Sequence, residues 1–381
     1  MKSNYKPIGD YVNLVEERNK ELQDLPLVGL SIQKKFIPSI ANTIGTDMST
    51  YRTIYKNQFA YSAVTSRNGD KLTIALFKDL EKGLISQAYT PFEITDTNKL
   101  LPAYLMMWFS RPEFDRYARF KSHGSARELF NWDDLCGTLI PVPHPDKQKE
   151  IVKEYNTIVN RIALNNQLIK KLEETAQAIY KQWFVDFEFP NEHGKPYKSN
   201  GGEMVESELG EIPKGWNAGN LSDLYKFQYG FGNTNPNNNG QYPIYGAGGI
   251  IGGYDKFNNE DAPVIGHMGE YCGAVVFAYG KHYVTYNGVM CNVIESSNKY
   301  FGYSSLLSKD LKSHTRGSSQ PFISYDMIYE VPILIPDNKL ILKFNSLNDK
   351  LFDSIGIYKK QCALFQTLSS IVLTKLTTIE N

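Results

Sequence analysis

Two short polar stretches of the chain combine side chains that can hydrogen-bond to the edges of nucleic-acid bases. They read His123-Gly124-Ser125-Ala126-Arg127 and Arg316-Gly317-Ser318-Ser319-Gln320, and the second begins 193 residues after the first. Arginine is suited to guanine, glutamine to adenine, and serine to either base. Each stretch has a small, flexible centre between polar or cationic flanks. We therefore interpret them as a matched pair of candidate base-contacting loops.

Other polar and aromatic side chains could complete such a surface, although an ordinary loop position is the alternative for each of them. In the first part of the chain, the candidates for phosphate contact are Lys34, Lys35, Arg67, Lys71 and Lys121, and Asn68 is a further candidate for DNA contact. In the Gly-rich second part, the candidates are Tyr229, Phe231, Asn233, Tyr245 and His267. The 41 basic residues are balanced by 41 acidic ones. This balance argues against binding by overall field alone and leaves local basic patches open.

No recognised catalytic or metal-binding motif is found in the sequence. In the Gly-rich run 246–253, Ile251 replaces a glycine of the dinucleotide fingerprint and Tyr254 replaces the lysine of a P-loop. Tight turns in a β-rich domain explain this run better. The six histidines show no metal spacing, and HExxH, GxSxG and the Asn-Pro-Pro-aromatic stretch of amino-methylating enzymes are absent. The sequence therefore predicts a chain without catalytic, cofactor-binding or metal-binding residues.

Composition predicts a cytoplasmic protein of two or three domains. The chain has 381 residues with 41% hydrophobic content, which is enough for proper cores. Its start, MKSNYKPIGD, has no apolar signal core. The longest apolar run, near Tyr104 to Phe109, is too short to span a bilayer. The four cysteines form no CxxC pair, as is typical of a reducing compartment.

Two long helical seams organise the chain. From Asp146 to about Phe187 there is no Gly or Pro, and apolar residues from Ile151 to Trp183 alternate at steps of four and three. This is a coiled-coil pattern, and it recurs 193 residues later, from Phe344 to Leu376. A rod with one narrow apolar stripe needs a partner helix, which the second seam supplies. Polar residues interrupt both seams, at Asn165, Asn348 and Ser369; they either fix the register or lie near solvent where the pair splays.

The spacing of 193 residues makes the chain two copies of one unit, each a globular segment followed by a long helix. The predicted boundaries are 1–143 for the first domain, 144–187 for the central helix, 188–216 for a Gly/Pro-rich linker, 217–336 for the second domain and 337–381 for the C-terminal helix. The predicted fold class is α+β: two mixed α/β domains and a pair of long antiparallel coiled-coil helices with a pseudo-twofold repeat. DNA has matching symmetry, so such a chain can read two half-sites that differ.

The sequence resembles the specificity subunits of type I restriction-modification systems. The resemblance covers nearly the whole chain. It rests on IPVPHPDKQKEIV, KKLEETAQAIYKQWFVDFEFP, ESELGEIPKGW and TRGSSQPFIS, which are specific in combination.

Several expectations follow from the resemblance. The two domains would be target recognition domains, each reading one half of a bipartite, asymmetric DNA sequence, and the helices would fix the length of the unread gap. The helices would also bind two methylation subunits, which carry S-adenosylmethionine and modify adenine by base flipping, and restriction subunits would join this core. The chain itself would be non-catalytic. An outer face bearing Trp183, Phe184 and Phe187 would await these partner subunits and make the isolated chain poorly soluble.

Two alternatives remain open at this point. The chain could be a coiled-coil scaffold whose domains bind protein or glycan, since Tyr and Asn richness in the second domain suits that function equally well. It could also be an enzyme with a concealed site in the second domain. The first alternative would be favoured if the chain, assembled with its methylation partner, retained no DNA sequence-selectively. Methyl transfer by this chain alone would support the second.

Overall fold

The computed structural model describes residues 5–66, 71–123, 128–232, 235–317 and 319–378. The chain forms two compact units. The first contains Met1–Leu164 and Cys362–Asn381, and the second contains Asn165–Gln361. The divisions fall inside the two long helices, α4 (Pro145–Tyr180) and α7 (Asn338–Lys375), so each helix contributes to both units.

The described part of the first unit contains ten short strands. They are β1 (Tyr5–Pro7), β2 (Val12–Leu14), β3 (Leu27–Leu30), β4 (Phe36–Pro38), β5 (Arg52–Tyr55), β6 (Phe59–Tyr61), β7 (Ile74–Leu76), β8 (Lys82–Ile85), β9 (Thr90–Ile94) and β10 (Leu139–Pro141). Two four-stranded sheets have the orders β2-β9-β6-β7 and β4-β3-β8-β5, and β1 pairs with β10. These strands are rich in β-branched and aromatic residues, which predict strands because they pack well on a half-buried pleated surface.

Three helices complete this domain: α1 (Pro102–Phe109), α2 (Pro112–Lys121) and α3 (Trp132–Cys136). Proline at the first position of α1 and of α2 is compatible with a helix start, because its missing N–H would be unpaired there. Aromatic rings dominate the core: Phe59 and Phe92 stack with centroids 5.0 Å apart, and Phe109 meets both edge-on.

The second unit is built around a six-stranded sheet. Its strands are β11 (Met204–Ser207), β12 (Gly210–Pro213), β13 (Asn217–Asn220), β14 (Tyr225–Tyr229), β15 (Tyr242–Gly246), β16 (Gly249–Tyr254), β17 (Asn259–Gly266), β18 (Val275–Val284), β19 (Gly288–Val293) and β20 (Pro332–Ile335). The large sheet has the order β14-β19-β17-β18-β15-β16, while β11 pairs with β12 and β13 with β20. Its helices are α5 (Lys299–Ser308) and α6 (Tyr325–Tyr329).

In the first unit, the start of α4 packs beside the end of α7. The Cys362 thiol lies 4.0 Å from the carbonyl oxygen of Ile162. Earlier in α4, Ile151 belongs to the same buried cluster as Leu376, which follows the end of α7. The residue numbers of contacting partners therefore rise along α4 as they fall along α7.

The same direction holds in the second unit. The Asn165 amide lies 3.1 Å from the side-chain oxygen of Gln361, and the ring centroid of Tyr180 lies 6.1 Å from that of Phe344. The two helices thus run antiparallel in each unit, as the seams predict. Together with the mixed domains, this confirms the predicted α+β fold class. The α-helical part of the first seam ends at Tyr180, and one π-helical turn continues it to Val185.

The sequence repeat is visible as repeated local structure. In the first unit, β1 pairs antiparallel with β10, and the Ile8 N–H then donates to the Thr138 carbonyl at 2.9 Å. In the second unit, β13 pairs antiparallel with β20, and the Leu221 N–H donates to the Val331 carbonyl at 3.0 Å. Thr138 and Val331 are separated by the repeat spacing, so both copies close their domains in the same way.

Candidate nucleic-acid interface

The two matched loops are closed by the same pair of backbone hydrogen bonds. In the first, the His123 N–H donates to the Leu129 carbonyl at 3.1 Å, and the Leu129 N–H donates to the His123 carbonyl at 2.9 Å. In the second, Arg316 and Phe322 exchange bonds of 2.9 and 2.8 Å. The closing residues are 193 positions apart on both sides. The two stretches chosen from sequence therefore begin at equivalent positions and share the same closing hydrogen bonds.

A neighbouring segment holds each loop from the other side. In the first unit the Thr65 N–H donates to the Glu128 carbonyl at 3.0 Å, and in the second the Gly269 N–H donates to the Pro321 carbonyl at 2.9 Å. Gly317 has φ +89°, a conformation that favours glycine. This explains the small residue at the turn of the second loop.

In the first unit, several candidates lie at the surface. Lys35, Lys71 and His123 are exposed, and Lys121 is half-buried at the end of α2. Phe120, beside Lys121, is also exposed, although sequence reasoning did not select it. The remaining candidates, Arg67, Asn68, Ser125 and Arg127, lie outside the described residues.

Lys34 does not lie where a phosphate contact requires it. Its ammonium is 2.6 Å from the Asp115 carboxylate and also donates to the Phe109 carbonyl, and its side chain is largely buried. Burial lowers the pKa of Lys34, and the hydrogen bond to Asp115 opposes this shift. The same carboxylate accepts the Leu72 N–H at 3.0 Å. The prediction for Lys34 is wrong, because this cation holds together two segments of its own domain.

In the second unit, Arg316, Ser319 and Gln320 are exposed, and so is Phe231. Tyr229 is half-buried. Asn233 and Ser318 lie outside the described residues.

Tyr245 and His267 are buried and unsuited to direct contact with a ligand. Tyr245 lies in a small apolar cluster, and burial raises its pKa to about 12. The His267 ring nitrogen Nδ1 lies 2.6 Å from the Ile323 carbonyl. A hydrogen bond to a carbonyl requires Nδ1 to carry the proton. The predictions for both residues are therefore corrected: Tyr245 is a core residue, and His267 supports the base of the second loop.

The structure adds exposed aromatic residues that sequence reasoning missed, namely Tyr271, Tyr286 and Phe322. Tyr286 packs against Tyr229 and His267, with ring centroids 5.5 Å from each. Tyr271 and Tyr286 both stand in or beside glycine-containing turns, which is the signal that could have identified them.

The predicted subunit-binding residues are mostly part of the core. Trp183 and Phe184 are buried, with ring centroids 5.9 Å and 5.0 Å from that of Phe344. Phe187 is half-buried and meets Trp216 edge-on at 5.5 Å. The expectation that they form an outer face is wrong, because the chain's own helix and linker cover them. The sequence held a signal for this, since Trp183 falls on the seam itself.

A different apolar stripe is exposed on α7 in the first unit. Leu364, Leu368 and Ile371 follow one another at steps of four and three, and Leu364 is 70% exposed. Such spacing places them on one helix face. Within the described residues, no helix has the length and apolarity to cross a membrane, and no cluster of three or more His, Cys, Asp or Glu side chains could hold a metal ion.

Comparison with known proteins reveals relatives of one kind. Residues 213–353 match the family described as type I restriction modification DNA specificity domain. Over 373 residues, the chain is 24% identical to the type I restriction enzyme MjaIX specificity subunit of Methanocaldococcus jannaschii, covering 87% of this chain and 84% of that protein. Over 160 residues it is 26% identical to the HindI specificity subunit of Haemophilus influenzae, covering 41% of this chain and 34% of that protein.

The fold is similar to the crystal structure of a type I restriction-modification system S subunit from M. genitalium. The TM-score is 0.58 at 18% identity, and the alignment covers 98% of this chain and 95% of that one. At this level of identity the likeness shows a shared fold. With the sequence matches, it confirms the resemblance that the sequence motifs predict.

Proposed function

We propose that this relative of the type I restriction-modification specificity subunits reads a bipartite, asymmetric DNA target, with one half-site for each domain. Residues 1–143 and 217–336 act as the two target recognition domains. The antiparallel helix pair spaces them and fixes the length of the gap between the half-sites. The chain catalyses no reaction itself.

The observation that carries this proposal is the matched pair of loops. Two chain segments of different sequence close with the same reciprocal bonds, at His123–Leu129 and at Arg316–Phe322. A dimeric DNA reader presents one element twice, and an internal repeat achieves the same within a single chain. Because the described side chains of the two loops differ, the two half-sites differ as well.

Methylation of the target comes from partner subunits. Two methylation subunits bring S-adenosylmethionine and modify adenine, which requires flipping the base out of the duplex. The exposed stripe of Leu364, Leu368 and Ile371 supports this proposal, because an apolar helix face of this kind suits packing against a partner helix. Restriction subunits join the same core.

The test is binding and methylation by the chain assembled with its methylation subunits. Sequencing of modified adenines in a host that carries the assembly should reveal one bipartite target word with two different halves. Gel-shift titration of that duplex against one with both halves scrambled should show at least about a thousandfold preference at physiological salt.

A chain with Leu364→Lys and Leu368→Lys provides the matched control for assembly. This variant should fold but no longer bind the methylation subunits. Modification of adenine in the host should then be lost. If the intact assembly binds both duplexes equally and modifies no defined word, the DNA-reading function is wrong and a protein- or glycan-binding scaffold takes its place.

A further inference from the structure

The candidate interface of the second unit presents an apolar surface instead of a cationic one. Six large side chains in its loops and at the start of β16 are between 40% and 64% exposed: Phe231, Ile250, Ile251, Tyr271, Tyr286 and Phe322. Monomeric proteins rarely gather this many exposed apolar groups in one place without a ligand or partner for them. We call this set the apolar patch.

Contacts at the β15–β16 hairpin bring members of the patch together. The Tyr271 ring lies against Gly248, where an added Cβ would approach its Cδ2 atom to 2.7 Å. The Ile251 side chain lies in the same way beside Gly246, at 3.2 Å. Gly246 ends β15 and Gly248 lies in the β15–β16 turn, so this hairpin contacts the Tyr271 ring and packs its own Ile251 side chain beside Gly246. A side chain at position 248 would displace the Tyr271 ring.

A backbone bond joins the segment that carries Tyr271 to the second matched loop. Next to Tyr271, the Gly269 N–H donates to the Pro321 carbonyl at 2.9 Å, directly beside Gln320. On the other side, the Tyr286 N–H donates to the Gly232 carbonyl at 3.3 Å, next to Phe231. The Tyr286 ring contacts that of His267, whose carbonyl accepts the Ile323 N–H at 3.0 Å. Tyr271 and Tyr286 are therefore both tied to the end of the loop that carries Gln320.

The charges of these loops do not suit the DNA backbone. Among the described residues here, the exposed cations Lys312 and Arg316 are balanced by the exposed acids Glu270 and Asp310. Phosphate contacts need an excess of lysine and arginine. A surface of apolar groups, one amide and balanced charge is instead suited to the edges of bases.

We propose that the second domain reads a half-site rich in A·T pairs, through contact of the apolar patch with thymine methyl groups in the major groove. This inference rests on the proposed function. The major groove displays the thymine C5-methyl group, which apolar side chains recognise, and adenine, which pairs with the amide of glutamine. Gln320, which is exposed beside the bond between Gly269 and Pro321, supplies that amide.

Replacement of thymine by uracil tests the methyl contact alone, because uracil keeps every hydrogen-bonding group and lacks only the methyl. The assembly with methylation subunits is titrated with its target duplex and with duplexes carrying uracil in one half-site at a time. The half-site of the second domain is the one whose recognition Arg316→Ala weakens. We expect about fourfold weaker binding for each contacted methyl group removed there.

Two variants connect the effect to the patch. Tyr271→Ala should reduce the difference between thymine and uracil in that half-site. Phe257→Ala should retain it, because Phe257 is an exposed aromatic residue past the opposite end of β16 from the glycine turn.

The inference and the proposed function fail in different ways. Sequence-specific binding that is indifferent to uracil, or a half-site without thymine, overturns the methyl contact and leaves DNA reading intact. Loss of subunit assembly in Tyr271→Ala overturns it in favour of a protein contact. Absence of any sequence-specific binding contradicts the proposed function itself.

Discussion

The Asn165 side chain donates a hydrogen bond to the side-chain oxygen of Gln361 at 3.1 Å, across the helix pair of the second unit. Asn165 is only 1% exposed. Asn348 is also buried, but its amide nitrogen donates to the Phe344 carbonyl of its own helix, and its side-chain oxygen has no partner. The solvated alternative for these two polar seam positions is therefore wrong. One of them makes a contact between helices and the other does not.

This difference predicts opposite stabilities for matched substitutions. Asn348→Leu should raise the free energy of unfolding by about 1–2 kcal/mol, because it removes a buried oxygen without a partner. Asn165→Leu should stabilise less or destabilise, because it also removes a bond between the helices worth about 1 kcal/mol. Urea titration of the two variants measures both. A larger gain in Asn165→Leu would contradict the assigned pairing.

A buried glutamine ties the first domain to α4. Gln148 accepts the Leu101 N–H and donates to the carbonyls of Lys99 and Pro143, each at 2.8 Å. Gln148→Met keeps the size and removes all three bonds, leaving backbone groups unpaired. It should lower the free energy of unfolding by about 2–4 kcal/mol. Lys149→Met, one position further along on the exposed face, should change it by less than about 0.5 kcal/mol.

The helices, their pairing and the matched loops could be predicted because each leaves a local pattern in the sequence. The seam records which face of α4 is buried, and the spacing of 193 residues marks equivalent positions in the two copies. The internal contacts of Lys34 and His267 could not be predicted. Lys34 is held by Asp115 and His267 by Ile323, and both partners are remote in sequence. Residue type alone cannot distinguish a lysine that is free to contact a phosphate from one that already forms an ion pair within its own domain.

His282 should make the second unit sensitive to acid. Its Nδ1 donates to the Gly280 carbonyl at 2.8 Å, and its Nε2 is buried without a partner. Burial lowers the pKa of His282, although the Gly280 carbonyl, Asp261 and Glu260 oppose the shift. The neutral ring is thus favoured in the folded chain. The neutral His282 ring therefore contributes its full share to the free energy of unfolding above the unfolded pKa of about 6.5. That share is lost as the pH falls below this value.

Denaturation of wild type and His282→Leu at about pH 7.5 and pH 5 tests this linkage. The wild type should lose more unfolding free energy on acidification than the variant does, by about 1.4 kcal/mol for each unit by which the pKa is lowered. His193→Leu, at an exposed histidine, should behave like the wild type. Equal acid sensitivity in His282→Leu and wild type would show that another group is responsible.

Single substitutions in the matched loops should each affect one half-site. Gln320→Ala should cost about 1–3 kcal/mol of discrimination at one position of the second domain's half-site. His123→Ala should act on the other half-site in the same assay. Lys35→Ala, if it contacts a phosphate, should weaken binding to all duplexes equally and reduce the salt dependence by about one charge. Competition binding against single-base variants measures each effect, and a Gln320→Ala assembly with unchanged discrimination at both half-sites would exclude base contact by this loop.

The helix pair should determine the length of the unread gap independently of the half-sites. One heptad added to α4 after Leu164 and one added to α7 after Gln361 preserve the seam phase and the antiparallel pairing. Seven helical residues lengthen the pair by about 10 Å, which corresponds to about three base pairs. Sequencing of modified adenines should therefore reveal the same two half-sequences with a gap about three pairs longer. Adding four residues at each point breaks the seam phase and should abolish modification. A changed half-sequence, or an unchanged gap in a folded heptad variant, would show that something other than the helices measures the distance.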